Sequence, residues 1–184
     1  MEHGFVALSS KKIALKVFII LFLLPIYSMA DLEVDDMAPN FTLKDQSSEV
    51  QSLGDYKGKW VVLYFYPKDG TPGCTTQACD FRDATERIIA SKAVVFGISM
   101  DSVASHVDFA EKYQIPFSLL SDETGEVSKQ YDSLTDILVT KMSKRNTFII
   151  DPQGKIVSIY HSVNPQGHSE MVLSELSSLQ QTYQ

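Results

Sequence analysis

The chain has 184 residues, of which 44% are hydrophobic and 21% charged, with a formal net charge of −7 and two cysteines. That acidic balance argues against a non-specific grip on nucleic acid or an anionic membrane surface, and leaves a small molecule or another protein as the expected partner. The length fits one domain with a single core once a leader is set aside.

The first thirty residues differ from the rest. Lys11, Lys12 and Lys16 form a positive segment, Val17 to Leu24 is an unbroken apolar run, and Ser28-Met29-Ala30 supplies small residues where a signal peptidase reads. The pattern matches a secretory signal peptide, with cleavage expected after Ala30. The run is shorter than the roughly 20 residues a membrane-spanning helix needs. An uncleaved anchor and an apolar cytosolic N-terminus are the other readings. Three Lys and one Glu fall in this leader, so residues 31–184 carry 13 basic and 22 acidic residues, a formal charge of −9. The expected product is an exported domain, in the bacterial periplasm or an equivalent compartment, without stable membrane insertion.

After an extended lead-in closed by Ala38-Pro39-Asn40, the alternation in Phe41 to Asp45 predicts a short strand or hairpin. Leu53 to Lys59 reads as a loop punctuated by two glycines. Trp60 to Tyr66 is seven consecutive apolar or aromatic residues ended by Pro67, the pattern of a central strand buried on both faces. Thr75 to Ile89 has a helical pattern with Ala78, Phe81, Ile88 and Ile89 among its apolar positions. A second buried strand is predicted over Ala93 to Met100, a helix over Ser102 to Tyr113, an extended piece over Phe117 to Leu120 and a short helix over Glu123 to Tyr131. Thr147 to Asp151 and Lys155 to Tyr160 flank Asp151-Pro152-Gln153-Gly154, a turn suited to a hairpin. A last helix is predicted over Gly167 to Gln181, with Met171, Val172, Leu176 and Leu179 inward. Strands alternating with helices, then a hairpin and a final helix, describe an α/β domain whose mixed central sheet is flanked by helices.

Both cysteines lie just past the first buried strand. Cys74 falls at the start of the predicted helix and Cys79 five positions later. A cysteine at a helix N-terminus feels the positive end of the macrodipole and unsatisfied backbone N–H groups, both of which favour thiolate, the reactive form. Helix geometry puts Cα atoms five positions apart about 8 to 9 Å from each other and on different faces, whereas a disulfide needs less than about 7 Å.

The stretch Tyr64-Phe65-Tyr66-Pro67-Lys68-Asp69, then Thr71-Pro72-Gly73-Cys74, Ala78-Cys79 and Phe81-Arg82-Asp83, with Arg145-Asn146-Thr147-Phe148-Ile149-Ile150-Asp151 further on, resembles the peroxiredoxins of the bacterioferritin-comigratory-protein or PrxQ type. The resemblance implies a thioredoxin-like fold and thiol-dependent peroxide reduction, with hydrogen peroxide and organic hydroperoxides as the expected substrates; no cofactor or metal is expected. It implies that Cys74 attacks the peroxide, that the Thr71 hydroxyl, the Cys74 backbone N–H and the Arg145 guanidinium hold it, and that Pro67 walls the pocket. It also implies a thioredoxin-like protein reductant. Cys79 is expected to resolve the Cys74 sulfenic acid as an intramolecular disulfide, which requires the first turns of the helix to unwind. A monomer is expected.

Other readings stay in view: a static disulfide, normal for an exported pair of cysteines, a thioredoxin-like disulfide exchange protein, and a binding domain without catalysis. The histidines at 3, 106, 161 and 168 have no metal-site spacing. Arg82 reads as a surface helix residue, and Lys68 and Asp69 as loop charges. Gln77 stands where this type commonly has Glu, Gly70 where Asp is frequent, and Asp35 where Gly commonly precedes Ala38-Pro39. The first two are expected to tune solubility or the loop without touching the nucleophile, and the third to carry little functional weight.

Overall fold

Trp60–Phe65 (β3) is buried at every position, because a strand with a neighbour on each side and helices over both faces has no solvent-facing residue. A computed structural model describes residues 31–137 and 140–182, together with Met1. The expected leader, 1–30, lies outside the described residues apart from Met1. Among the described residues no helix is long and apolar enough to cross a membrane.

The strands preceding β3 are Thr42–Asp45 (β1) and Val50–Ser52 (β2). Those following are Ala93–Ser99 (β4), Leu119–Ser121 (β5), Leu134–Ile137 (β6), Thr140–Ser143 (β7), Thr147–Ile150 (β8) and Ile156–Tyr160 (β9). The helices are Pro72–Ala90 (α1), Val103–Tyr113 (α2), Glu126–Gln130 (α3) and His168–Thr182 (α4). Seven strands form one mixed sheet in the order β2-β1-β5-β4-β3-β8-β9. Pairings β3–β4 and β4–β5 are parallel, while β1–β5, β3–β8 and β8–β9 are antiparallel.

Alternate residues of β3 feed two cores. Trp60, Val62 and Tyr64 join Ala78, Phe81 and Ile88 of α1, Phe109 of α2 and Val172 and Leu176 of α4. Val61, Leu63 and Phe65 join Phe96, Ile98, Phe148, Ile150 and Tyr131 on the other face. The register sets Tyr64 beside Gly97, and a Cβ on Gly97 would lie 2.7 Å from the Tyr64 ring and hydroxyl. A side chain there and the tyrosine exclude each other.

The sequence-derived elements are present, with three differences. The β6–β7 hairpin forms a separate two-stranded sheet in a segment whose alternation is too short to stand out. Ile89, one of the apolar helix positions, is 65% exposed, and Met171, placed inward by pattern, is 37% exposed. Both sit one residue off the buried stripes that run through Ile88 and Val172. Asp35 has φ 78°, in the left-handed region where glycine costs least, which accounts for the glycine commonly found there in the type the sequence resembles.

Candidate active site

The site lies beyond the carboxyl ends of β3 and β4, where ligands bind in open α/β sheets. Chain direction changes sharply there. Pro67 follows the buried strand, Gly70 takes φ 68°, and Thr71 caps α1 with Pro72 in its first turn. Proline at that point loses nothing, because its missing N–H would have had no intrahelical partner. The Thr71 side chain makes no capping bond. Its hydroxyl donates instead to the Lys68 carbonyl at 3.0 Å, and its own carbonyl accepts the Thr75 N–H at 2.9 Å. The first intrahelical bond thus begins at Thr75, leaving the N–H groups of Gly73 and Cys74 at the open, positive end of the helix. No acidic residue occupies the first turn of α1.

Cys74 is 1% exposed and unpaired, and Cys79 is a second free, partly exposed thiol. Both lie within the continuous helix α1, whose geometry keeps them too far apart to bond. Arg145 reaches Cys74 from across the sheet, with Nη2 donating to Sγ at 3.3 Å. The backbone aims it. The Arg145 carbonyl accepts the Val163 N–H at 2.9 Å, the Asn146 carbonyl accepts the Phe65 N–H of β3 at 2.8 Å, and the Lys144 N–H donates to Ser133 at the base of the β6–β7 hairpin. Asn146 is itself buried and donates from Nδ2 to Ser133 Oγ at 3.0 Å.

Gln77 departs from the expectation that it tunes only solubility. It is fully buried, its Oε1 accepts from Arg145 Nη1, and its Nε2 donates to His168 Nδ1 at 2.9 Å. It thus reaches the Cys74 sulfur through one guanidinium. Its spacing of three from Cys74 places both on one helix face, a signal present in the sequence. His168 had no such signal, its partner being 91 positions away. Burial, chiefly, and then the Arg145 charge against the opposing pull of Asp80, lower the His168 pKa to about 4.

Asp69 is an anchor whose side chain is 6% exposed, rather than a free loop charge. It accepts from the Tyr66 hydroxyl and Ser105 Oγ, both at 2.8 Å, pairs with His106 Nδ1 at 2.8 Å, and donates its N–H to Asp101 Oδ2 at 2.9 Å. The loop before Cys74 is thereby pinned to α2. Arg82 bonds Asp83 at 2.8 Å and the Tyr113 carbonyl at 2.9 Å. Its pKa is raised first by Asp83, with smaller contributions from Cys79. His161 is exposed.

Residues 34–159 match the model of the AhpC/TSA family. A "putative peroxiredoxin bcp" from Coxiella burnetii is 45% identical over 149 residues, which cover 79% of this chain and 99% of that protein. This chain is an AhpC/TSA-family peroxiredoxin of the Bcp/PrxQ type. A chloroplastic peroxiredoxin Q from Triticum aestivum is 47% identical over 142 residues, 77% of this chain and 65% of that longer protein. The crystal structure of a cysteine-to-serine mutant of PrxQ from Xylella fastidiosa superposes with a TM-score of 0.77 at 34% identity, covering 81% of this chain and 98% of that one. The mixed α/β sheet expected from the element order is thus the thioredoxin-like fold that the resemblance implied, and thiol peroxidase chemistry takes precedence over disulfide exchange between proteins.

Proposed function

We propose that Cys74 is the peroxide-attacking thiol and Cys79 the resolving one. The observation that carries the reading is the Arg145 guanidinium 3.3 Å from a sulfur in the first turn of α1. The Cys74 thiolate attacks one peroxide oxygen, an S–O bond forms as the O–O bond breaks, and the departing alkoxide or hydroxide leaves as alcohol or water after taking a proton. Negative charge builds on that oxygen in the transition state, where Arg145, the Cys74 N–H and a Thr71 hydroxyl turned from Lys68 serve as donors. Pro67 shields the sulfenic acid. Unwinding of the first turns of α1 then brings Cys79 to the oxidised sulfur. Its attack releases water, forms the disulfide, and leaves a bond that a thioredoxin-like dithiol reduces.

The substrates in this reading are hydrogen peroxide and organic hydroperoxides, and the protein works as a monomer. Residues 31–184 form the catalytic domain after removal of residues 1–30 as a signal peptide, with the bacterial periplasm as its place of action. The positive, apolar and small-residue order of the leader supports this. Such an oxidising compartment demands a dedicated supply of reductant.

Stopped-flow oxidation of the reduced protein, with a dimedone trap on Cys79→Ser, tests the assignment. The expected result is a Cys74 adduct in the variant and a peroxide rate far above that of free cysteine in the parent. No adduct, or a parent protein in which peroxide leaves no Cys74–Cys79 disulfide by mass spectrometry, overturns it.

A further inference from the structure

We infer that His168 is a positioning residue for the peroxide step, acting through Gln77 to keep the Arg145 guanidinium aimed at the Cys74 sulfur. The inference rests on the role proposed above for Cys74 and extends it to a residue on a different helix.

The argument begins with what each group can donate. A guanidinium has donors only, so the Gln77 amide must turn its oxygen to Arg145. Its NH2 then faces His168 and donates to Nδ1. A nitrogen that accepts carries no proton, so the imidazole is neutral with its hydrogen on Nε2. That Nε2 is buried without a hydrogen-bond partner, and the ring lies edge-on to Phe81, centroids 4.9 Å apart. The apolar ring contact and burial keep the imidazole from charging, in line with its lowered pKa. An imidazolium would present an N–H to the Gln77 amide, and the amide would have to turn over and face its own donors toward Arg145. The neutral imidazole therefore selects one of two amide orientations.

His168 is well placed to hold that selection. It is the first residue of α4 and 1% exposed, and the next residue, Ser169, donates its N–H to Asp80 Oδ2 of α1 at 2.6 Å. Two successive residues of α4 thus tie to α1 on the turn that carries Gln77 and the turn after it. The chain Cys74–Arg145–Gln77–His168 is continuous in hydrogen bonds. Apart from Arg145, the charged group acting on His168 is Asp80.

The test is a coupling measurement in the Cys79→Ser background, which isolates Cys74. His168→Leu removes the acceptor, His168→Asn retains one near the Nδ1 position, and Gln77→Met removes the relay. The readouts are the second-order rate with hydrogen peroxide and the mid-point of the Cys74 thiolate absorbance titration, with melting temperature measured alongside. His168→Leu is expected to slow the peroxide reaction about tenfold, the size expected from a modest misplacement of a catalytic group, and to move the titration to higher pH. His168→Asn is expected to recover most of both. On Gln77→Met, adding His168→Leu should change neither further. The inference is overturned if His168→Leu leaves rate and titration unchanged while lowering the melting temperature. Additive effects of His168→Leu and Gln77→Met overturn it as well. Should His168→Leu not fold, His168→Asn and Gln77→Met carry the same test, since a loss in the latter and not the former is required. A parent protein that forms no Cys74 adduct with dimedone fails the underlying assignment instead, a separate result.

Discussion

Tyr64 and Gly97 set the limit on side-chain change in the core beneath Cys74. The Tyr64 hydroxyl is fully buried without a hydrogen-bond partner, and its ring stacks on Phe81 of α1 at a centroid distance of 4.9 Å. The space it occupies exists because residue 97 has no Cβ. Gly97→Ala puts a methyl 2.7 Å from two Tyr64 atoms and 2.9 Å from Leu119 Cδ2, far inside van der Waals contact. Its backbone lies within β4, between two paired strands, and cannot back away. The expected cost is about 2 to 3 kcal/mol, read as a fall in the urea midpoint at unchanged slope. At this scale the site was only half legible in the sequence. Pro67, Thr71, Cys74 and Cys79 share one short run, so their pattern survives in one dimension. Arg145 was reached through resemblance alone, because a basic residue before a buried strand looks like any solvated loop charge. His168 and Asp69 were not recognisable, since their meaning depends on partners brought from distant positions by the sheet.

In the proposed cycle helix α1 has two incompatible duties, and its sequence is compatible with both. Intact, it would present Cys74 to peroxide at its N-terminus. Opened, it would let Cys79 reach the oxidised sulfur. The first turn is lightly held: Thr71 makes no side-chain cap, and Thr76 bonds back to the Pro72 carbonyl at 3.0 Å, an arrangement that slightly weakens helices. Against this stand Gln77 on His168 and Asp80 on Ser169, which fasten the second and third turns to α4. Thr76 is exposed and lies two positions from Cys74, hence on a different face. Thr76→Ala is expected to stabilise the closed helix by about 0.5 kcal/mol, slowing disulfide formation about twofold while leaving the peroxide reaction unchanged. Rapid-quench mass spectrometry should accordingly find about twice as much sulfinic acid per turnover, the sulfenic acid waiting longer before Cys79 arrives. The elements themselves were readable from period and punctuation, β3 and α1 above all, since a run buried on both faces and a helix with proline in its first turn announce themselves locally. Sheet order was not, and neither was the β6–β7 hairpin, whose exposed positions at Asp136, Ile137, Thr140 and Lys141 leave little hydrophobic signal.

For the molecule as a whole, the buried imidazole ties stability to acidity. His168 ionises near its ordinary value of 6.5 in the unfolded chain and only at about 4 in the folded one, burial being the main cause. Between those values the unfolded state binds a proton that the native state refuses, so stability rises with pH across this window and falls on acidification. The contribution is nearly neutral above the unfolded value, grows as the pH drops below it, and levels off below about 4. For a shift of this size, linkage gives a loss of about 2 kcal/mol between pH 7 and pH 5 from this group alone. The exposed carboxylates Asp83 and Glu170, held below their usual range by Arg82 and Arg87, act in the same direction at lower pH, and their exposure keeps that effect small. Urea unfolding of the parent and of His168→Asn at the two pH values separates the terms. The parent is expected to lose about 2 kcal/mol more than the variant, whose amide does not titrate. Equal losses would mean that the imidazole charges freely in the folded protein, and a neutral acceptor for Gln77 would then be missing at mildly acidic pH. In the expected case the same burial that makes His168 costly in acid keeps the amide, the guanidinium and the cysteine sulfur in register down to pH values well below neutral.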